Sequence, residues 1–87
     1  MSEADIGMLH LLADIVAEES GARRHGRLTR ATRAIAVPGW DSLSHARIML
    51  SLEDRLGVRI DIARSYEFDD LGGLLDYLAG LTRQADA

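Results

Sequence analysis

The chain has 87 residues, a formal net charge of −4 and no cysteine, which places it at the lower end of what folds as one domain. A chain this short buries only about 60–65% of the surface its unfolded form exposes, too little for both a packed core and a deep substrate cavity, and this favours a binding or carrying module over a self-contained enzyme. Disulfides and cysteine-based metal sites are excluded, no apolar run reaches the roughly 18–20 residues of a membrane span, and the acidic start, with Glu3 and Asp5, is unlike a secretory leader, so the cytoplasm is the expected compartment.

Charge is arranged in blocks. Residues 1–19 hold five acids and no base, residues 20–40 hold five arginines and no acid, and residues 41–87 hold nine acids and five arginines. In the first block Ile6, Leu9, Leu11, Leu12, Ile15 and Val16 recur at near-helical spacing. They predict a helix from about Ala4 to Glu19, with Ser20-Gly21 at its end. Residues 22–37 then read as a long basic connection, with Leu28, Ile35 and Val37 as expected anchors to the core. Long loops in small domains are uncommon and often functional. Arg23, Arg24, Arg27, Arg30 and Arg33 lie within eleven residues, but the protein is acidic and carries no base-reading motif or stacking aromatic among them, which argues against nucleic acid. The expected partner of this cluster is the acidic first helix or an acidic protein surface.

Pro38-Gly39 punctuates the chain before Trp40-Asp41-Ser42-Leu43-Ser44-His45. Asp41 has the chemistry of an N-cap, because its carboxylate can accept from the spare N–H groups of the following turn. Ser42 then falls at the first helical position, with its hydroxyl at the rim. A helix start carries roughly half a positive charge and free donors, so it tolerates an attached phosphate. The predicted second helix runs from Ser42 to about Leu56, with Leu43, Ala46, Met49, Leu50, Leu52 and Leu56 as its apolar stripe and Gly57 as its stop. Val58 to Ile62 alternates like a strand, but a lone strand has no partner, and a turn into a one-turn helix near Ile62–Tyr66 is preferred. The last helix starts at Asp69 or Asp70 as cap and ends near Leu81, with Leu71, Leu74, Leu75 and Leu78 inward and a frayed tail from Thr82. Gly72 and Gly73 within it cost about 2 kcal/mol together relative to alanine, a price that close helix approach would explain.

Asp41-Ser42-Leu43 resembles the Asp-Ser-Leu signature of acyl and peptidyl carrier proteins. The resemblance continues through Leu52-Glu53-Asp54-Arg55-Leu56-Gly57-Val58-Arg59-Ile60, Phe68-Asp69-Asp70-Leu71 and Leu74-Leu75-Asp76-Tyr77-Leu78 without a gap from Pro38 to Leu78. It covers about half of the chain well, and the first helix by pattern. It implies an all-α fold: a small four-helix bundle of acyl-carrier type, three longer helices and one short, with a long loop between the first two. The whole of residues 1–87 would form one carrier domain with an ordered core of about 4–81.

The resemblance assigns Ser42 as the attachment point of a 4′-phosphopantetheine arm taken from coenzyme A by a separate phosphopantetheinyl transferase. Asp41 would assist that transferase's Mg²⁺ or cap the helix, two roles that compete for one carboxylate. Ser44 ranks below Ser42. The second helix would be the docking surface, with Leu43, His45, Arg47, Glu53 and Asp54 facing the transferase, an acyl- or aminoacyl-loading enzyme and a downstream synthase or transferase. Arg47 and the arginine loop depart from the acidic pattern of many carriers and point toward polyketide, nonribosomal peptide or related secondary metabolism rather than fatty-acid synthesis. The expected protein is a monomer that is not itself an enzyme and has no membrane partner. Trp40 is expected to pack across the loop and helix start, and Tyr66, Phe68 and Tyr77 at the core or its edge. His10, His25 and His45 lack a chelating spacing. Two alternatives stand: a carrier-like interaction module that is never modified, and a small hydrolase using Ser42, for which no oxyanion hole is marked.

Overall fold

The computed structural model describes residues 2–20 and 28–85, and among these there is no strand. Four α-helices follow one another: α1 Glu3–Ser20, α2 Ser42–Leu56, the single turn α3 Ile62–Ser65, and α4 Leu71–Ala85, with a 3-10 turn at Ala34–Ala36 before α2. The expected all-α, carrier-type architecture is the observed one. Arg23, Arg24, Arg27 and His25 lie outside the described residues.

Local chemistry sets the helix ends. The Ser2 hydroxyl accepts from the Asp5 N–H at 3.1 Å, and Glu3 and Asp5 put negative charge in the first turn of α1, where the helix dipole favours it. Asp41, in extended backbone, accepts from the Ser44 N–H at 2.8 Å. Gly57 closes α2 at φ 67°, a left-handed conformation that suits glycine, and its N–H donates to the Glu53 carbonyl at 2.9 Å. Asp61 caps α3 by accepting from the Arg64 N–H at 3.1 Å.

The start of α4 is built differently. The Leu71 N–H donates to the Thr32 carbonyl and the Gly72 N–H to the Arg30 carbonyl, each at 2.8 Å, and the Gly73 N–H donates to the Asp70 carboxylate at 3.0 Å. Two of these three acceptors come from the loop after α1, so the loop's backbone completes a helix some forty residues further on. Arg30 fastens the same junction. Its guanidinium meets Asp76 at 2.9 Å, Asp5 at 3.2 Å and the Gly72 carbonyl at 3.3 Å. The expected pairing of the basic loop with the acidic first helix is therefore present at Arg30, with α4 as an additional partner. A β-carbon on Gly72 would lie 3.1 Å from the Arg30 carbonyl oxygen, and one on Gly73 would lie 3.1 Å from the Phe68 ring. The close approach at these glycines is thus to a loop backbone and an aromatic ring, and not to another helix.

The core gathers Leu9, Leu12, Ile15 and Val16 of α1, Ile48, Met49 and Leu52 of α2, and Leu71, Leu74, Leu75 and Leu78 of α4, with Val37, Trp40 and Ile60 from the connections. α1 packs on α2, and α2 on α3. Three sequence expectations shift. Leu43 and Leu50 are exposed, and the buried face of α2 runs through Ser44, His45, Ile48, Met49 and Leu52. Ile35, expected as an anchor, is 86% exposed on the 3-10 turn, because Val37 and half-buried Leu28 make the loop's contacts with the core. α4 continues through Thr82 to Ala85, its Thr82 hydroxyl donating to the Ala79 carbonyl at 3.0 Å.

The glycine environments set a stability test. Gly7 is exposed within α1 and nothing lies within 4 Å of the β-carbon it lacks. Gly7→Ala is expected to raise stability in urea unfolding by about 0.5–1 kcal/mol through helix propensity. Gly72→Ala is expected to lower it by about 1 kcal/mol or more, since the new methyl pushes against the carbonyl that its own N–H needs.

Candidate functional site

The site forms where the 3-10 turn, the start of α2 and α3 meet. Gly39, at φ 86°, bends the chain so that Trp40 turns inward and Asp41-Ser42 stays outside. Trp40 is 7% exposed, as expected of a residue packed across loop and helix. Ser42 is exposed at the first residue of α2. Ser44 is 8% exposed, so of the two nearby hydroxyls only that of Ser42 stands open to a large reagent. Asp41 is also exposed. Its hydrogen bonds from the backbone of the first turn, the Ser44 N–H foremost, hold its carboxyl below the usual carboxylate range. Its capping role is therefore occupied, and any help to an incoming metal must share those oxygens.

Behind this rim lies a hydrogen-bonded chain whose direction is fixed by chemistry. The Trp40 Nε1–H lies 2.9 Å from His45 Nδ1. An indole nitrogen only donates, so Nδ1 accepts, and the imidazole's single proton is at Nε2. The Nε2–H then donates to the Ser65 hydroxyl at 2.7 Å, which itself donates to the Ile62 carbonyl at 2.5 Å. The Tyr66 ring stacks on His45 with centroids 4.0 Å apart, and its hydroxyl donates to the Ser42 carbonyl at 3.3 Å. His45 is thus 7% exposed and spent internally. Its expected place on the docking face is corrected: the helical phase turns it inward, where Trp40 and Ser65 supply both of its hydrogen-bond partners. Burial pushes its pKa below the ordinary histidine value.

The remaining residues expected on the docking face divide. Leu43, Arg47 and Asp54 are exposed, and together with exposed Leu50 they line one face at i, i+4, i+7 and i+11. Glu53 is half-buried and accepts from the Ile60 N–H at 2.6 Å, so it closes the turn after α2 more than it faces solvent. Sequence spacing missed His45, Ser65 and Tyr66 as a unit. Its only local signal was a histidine five residues after a tryptophan.

No family model matches the sequence, and no curated protein does. Among solved structures, it is similar to the solution NMR structure of the holo acyl carrier protein from Geobacter metallireducens, with a TM-score of 0.72 and 26% identity over 88% of this chain and 87% of that chain. The chain has the acyl carrier protein fold. In this carrier fold the residues present fit a covalent arm at Ser42: an open primary hydroxyl at the N-terminus of a 15-residue helix, where positive dipole charge favours a phosphodiester. Among the described residues no cluster of three or more His, Asp or Glu is placed to hold a metal, and no helix is long and apolar enough to cross a membrane.

The cap makes a pH-resolved prediction. Asp41→Ala is expected to lower the melting temperature, and Asp41→Asn, which keeps a capping oxygen, to lower it less. Because the folded state depresses the Asp41 pKa, its contribution is complete above about 3.9, the ordinary value, and fades as pH falls through the lower folded value. The gap between wild type and Asp41→Ala should therefore narrow in melts below about pH 4.

Proposed function

We propose that this protein is a carrier whose Ser42 receives a 4′-phosphopantetheine arm from coenzyme A and which delivers acyl or aminoacyl groups to partner enzymes. The observation that carries this reading is the open Ser42 hydroxyl at the start of α2 in a chain with the acyl carrier protein fold. When attached, the arm supplies the thiol that the cysteine-free chain lacks, and with it a thioester link to the cargo. The chain's own residues do the rest. Asp41 holds the first turn of α2, Tyr66 ties the Ser42 carbonyl to α3, and the core keeps this rim rigid, while a tether raises the local concentration of cargo at a docked active site.

Docking falls to the exposed face of α2. Leu43 stands next to Ser42 and leads the stripe through Arg47, Leu50 and Asp54. This pattern of two apolar residues and two opposite charges supports partners other than those that read a uniformly acidic helix, because complementary charge governs encounter and rejection of wrong partners. Arg33, exposed on the loop, and Arg47 favour a place in polyketide, nonribosomal peptide or related secondary metabolism, among cytoplasmic enzymes.

Incubation with coenzyme A, Mg²⁺ and a broad-specificity phosphopantetheinyl transferase is expected to add one phosphopantetheine to the intact mass. The gain should vanish in Ser42→Ala and survive in Ser44→Ala. No gain with any transferase would instead indicate an unmodified interaction module. The docking face is tested separately: Leu43→Asp is expected to slow loading about tenfold, as loss of one interface anchor does, with an unchanged melting temperature because Leu43 is 67% exposed.

A further inference from the structure

His45 is buried, titratable and unused by the carrier reading, yet it joins three elements around Ser42. Trp40 reaches it from the loop, Ser65 from α3, and its own backbone N–H donates to the Asp41 carbonyl at 2.8 Å. Both ring nitrogens are committed, one as acceptor and one as donor, and only the neutral Nε2–H tautomer satisfies both. A proton from solvent could bind only at Nδ1. The imidazolium would then point an N–H at the Trp40 N–H, which has no lone pair to offer.

We propose that His45 is a pH-operated latch: neutral, it fastens α3 to the loop and to the start of α2, and protonation at Nδ1 releases α3 and Tyr66 from Ser42. The surroundings offer the cation little compensation. Tyr66 stacks on the ring, and Trp40 lies with its centroid 6.0 Å away. On α2, the Asp41 carboxylate is engaged by the Ser44 N–H, and Arg47 is exposed. At and beside α3, the Asp61 carboxylate caps the helix by accepting from the Arg64 N–H, the Arg64 guanidinium lies 5.5 Å from the Tyr77 ring centroid, and Glu67 is exposed. On the loop Arg33 is exposed. Among the described residues none of these forms an ion pair with the imidazole.

The sign follows from linkage. Burial depresses the folded pKa of His45, so the latch contributes fully above the ordinary histidine value of about 6.5 and is lost as pH falls through the folded value. Once released, the ring titrates near 6.5. The released population therefore grows as pH falls from 7.5 to 5.5, by at most about tenfold and most of it below pH 6.5.

The inference deepens the role of Ser42 by saying what controls the presentation of its helix start. Its test is read on the unmodified full chain. Amide hydrogen-exchange protection of Ser65 and Tyr66, corrected for intrinsic rates, is expected to fall between pH 7.5 and 5.5, by up to about tenfold, while Leu78 in the core of α4 changes less. In His45→Gln the α3 protection should not depend on pH. In Trp40→Phe the opposing donor is gone, and the His45 imidazole midpoint seen by NMR should move up toward 6.5. Equal loss at Leu78, pH-dependent α3 protection persisting in His45→Gln, or an unmoved midpoint in Trp40→Phe would each overturn the latch. If Ser42 accepts no phosphopantetheine, the carrier reading fails while this titration still stands on its own.

Discussion

One hydrogen bond organises the neighbourhood of the exposed serine: the Trp40 indole N–H donating to His45 Nδ1. An indole cannot accept, so that contact alone decides the imidazole tautomer, and the tautomer decides which way every later bond runs. From Trp40 the chain of donors passes through His45 and Ser65 to the Ile62 carbonyl without an unsatisfied member. In a buried setting this matters more than the number of bonds. A satisfied hydrogen bond contributes roughly 0.5–1.5 kcal/mol, whereas an orphaned buried donor or acceptor costs about 1–3 kcal/mol. A short helix such as α3, with four residues, has almost no stability of its own. It holds its place through such tertiary bonds and through the Tyr66 ring on His45. The rim that presents Ser42 is thus as firm as the relay beneath it.

The start of α4 is secured in a complementary way. There the loop from α1 lends its carbonyls to the unpaired N–H groups at the start of α4, and Arg30 ties the loop's side chain to Asp5 and Asp76. Single exposed ion pairs contribute little. Arg30 matters because its backbone and side chain act at the same junction, and because Gly72 leaves room for the carbonyl to reach the helix. The loop is therefore a structural strut at Arg30 and Thr32, whatever the more exposed Arg33 faces.

Much of this was legible in the sequence wherever the signal was local. Asp41 and Gly57 mark the two ends of α2 by cap chemistry alone, and the one-turn helix after Asp61 follows from refusing a strand with no partner. The phase of α2 was not legible. Leu43 and Leu50 are as apolar as Leu52, and periodicity cannot say which of two overlapping stripes turns inward when leucines lie on both. A buried Ile48 and a buried His45 settle it, and His45 is the harder case. A histidine on a helix reads as surface until its partners are known, and Ser65 lies twenty residues away in sequence. The inward turn of His45 depends on a non-local serine that no spacing rule selects. Ile35 fails as an anchor for a related reason: loop apolar residues carry no period, so hydrophobicity alone does not separate it from Val37.

The two faces of α2 explain why so small a domain can be both rigid and recognisable. Residues 45, 48, 49 and 52 spend the helix's inward face on the core and the relay, while residues 43, 47, 50 and 54 leave an outward face with no structural duty. Substitution on the outward face can alter a partner's reading without disturbing the fold. Substitution on the inward face alters the position of Ser42 itself. Ser42 sits at the helix start, where the two faces converge, so its position depends on the buried side while the exposed side beside it stays open to solvent. A deep cavity would have consumed the core that makes this division possible. In a chain of this length, the core goes to holding a stiff rim and not to enclosing a pocket.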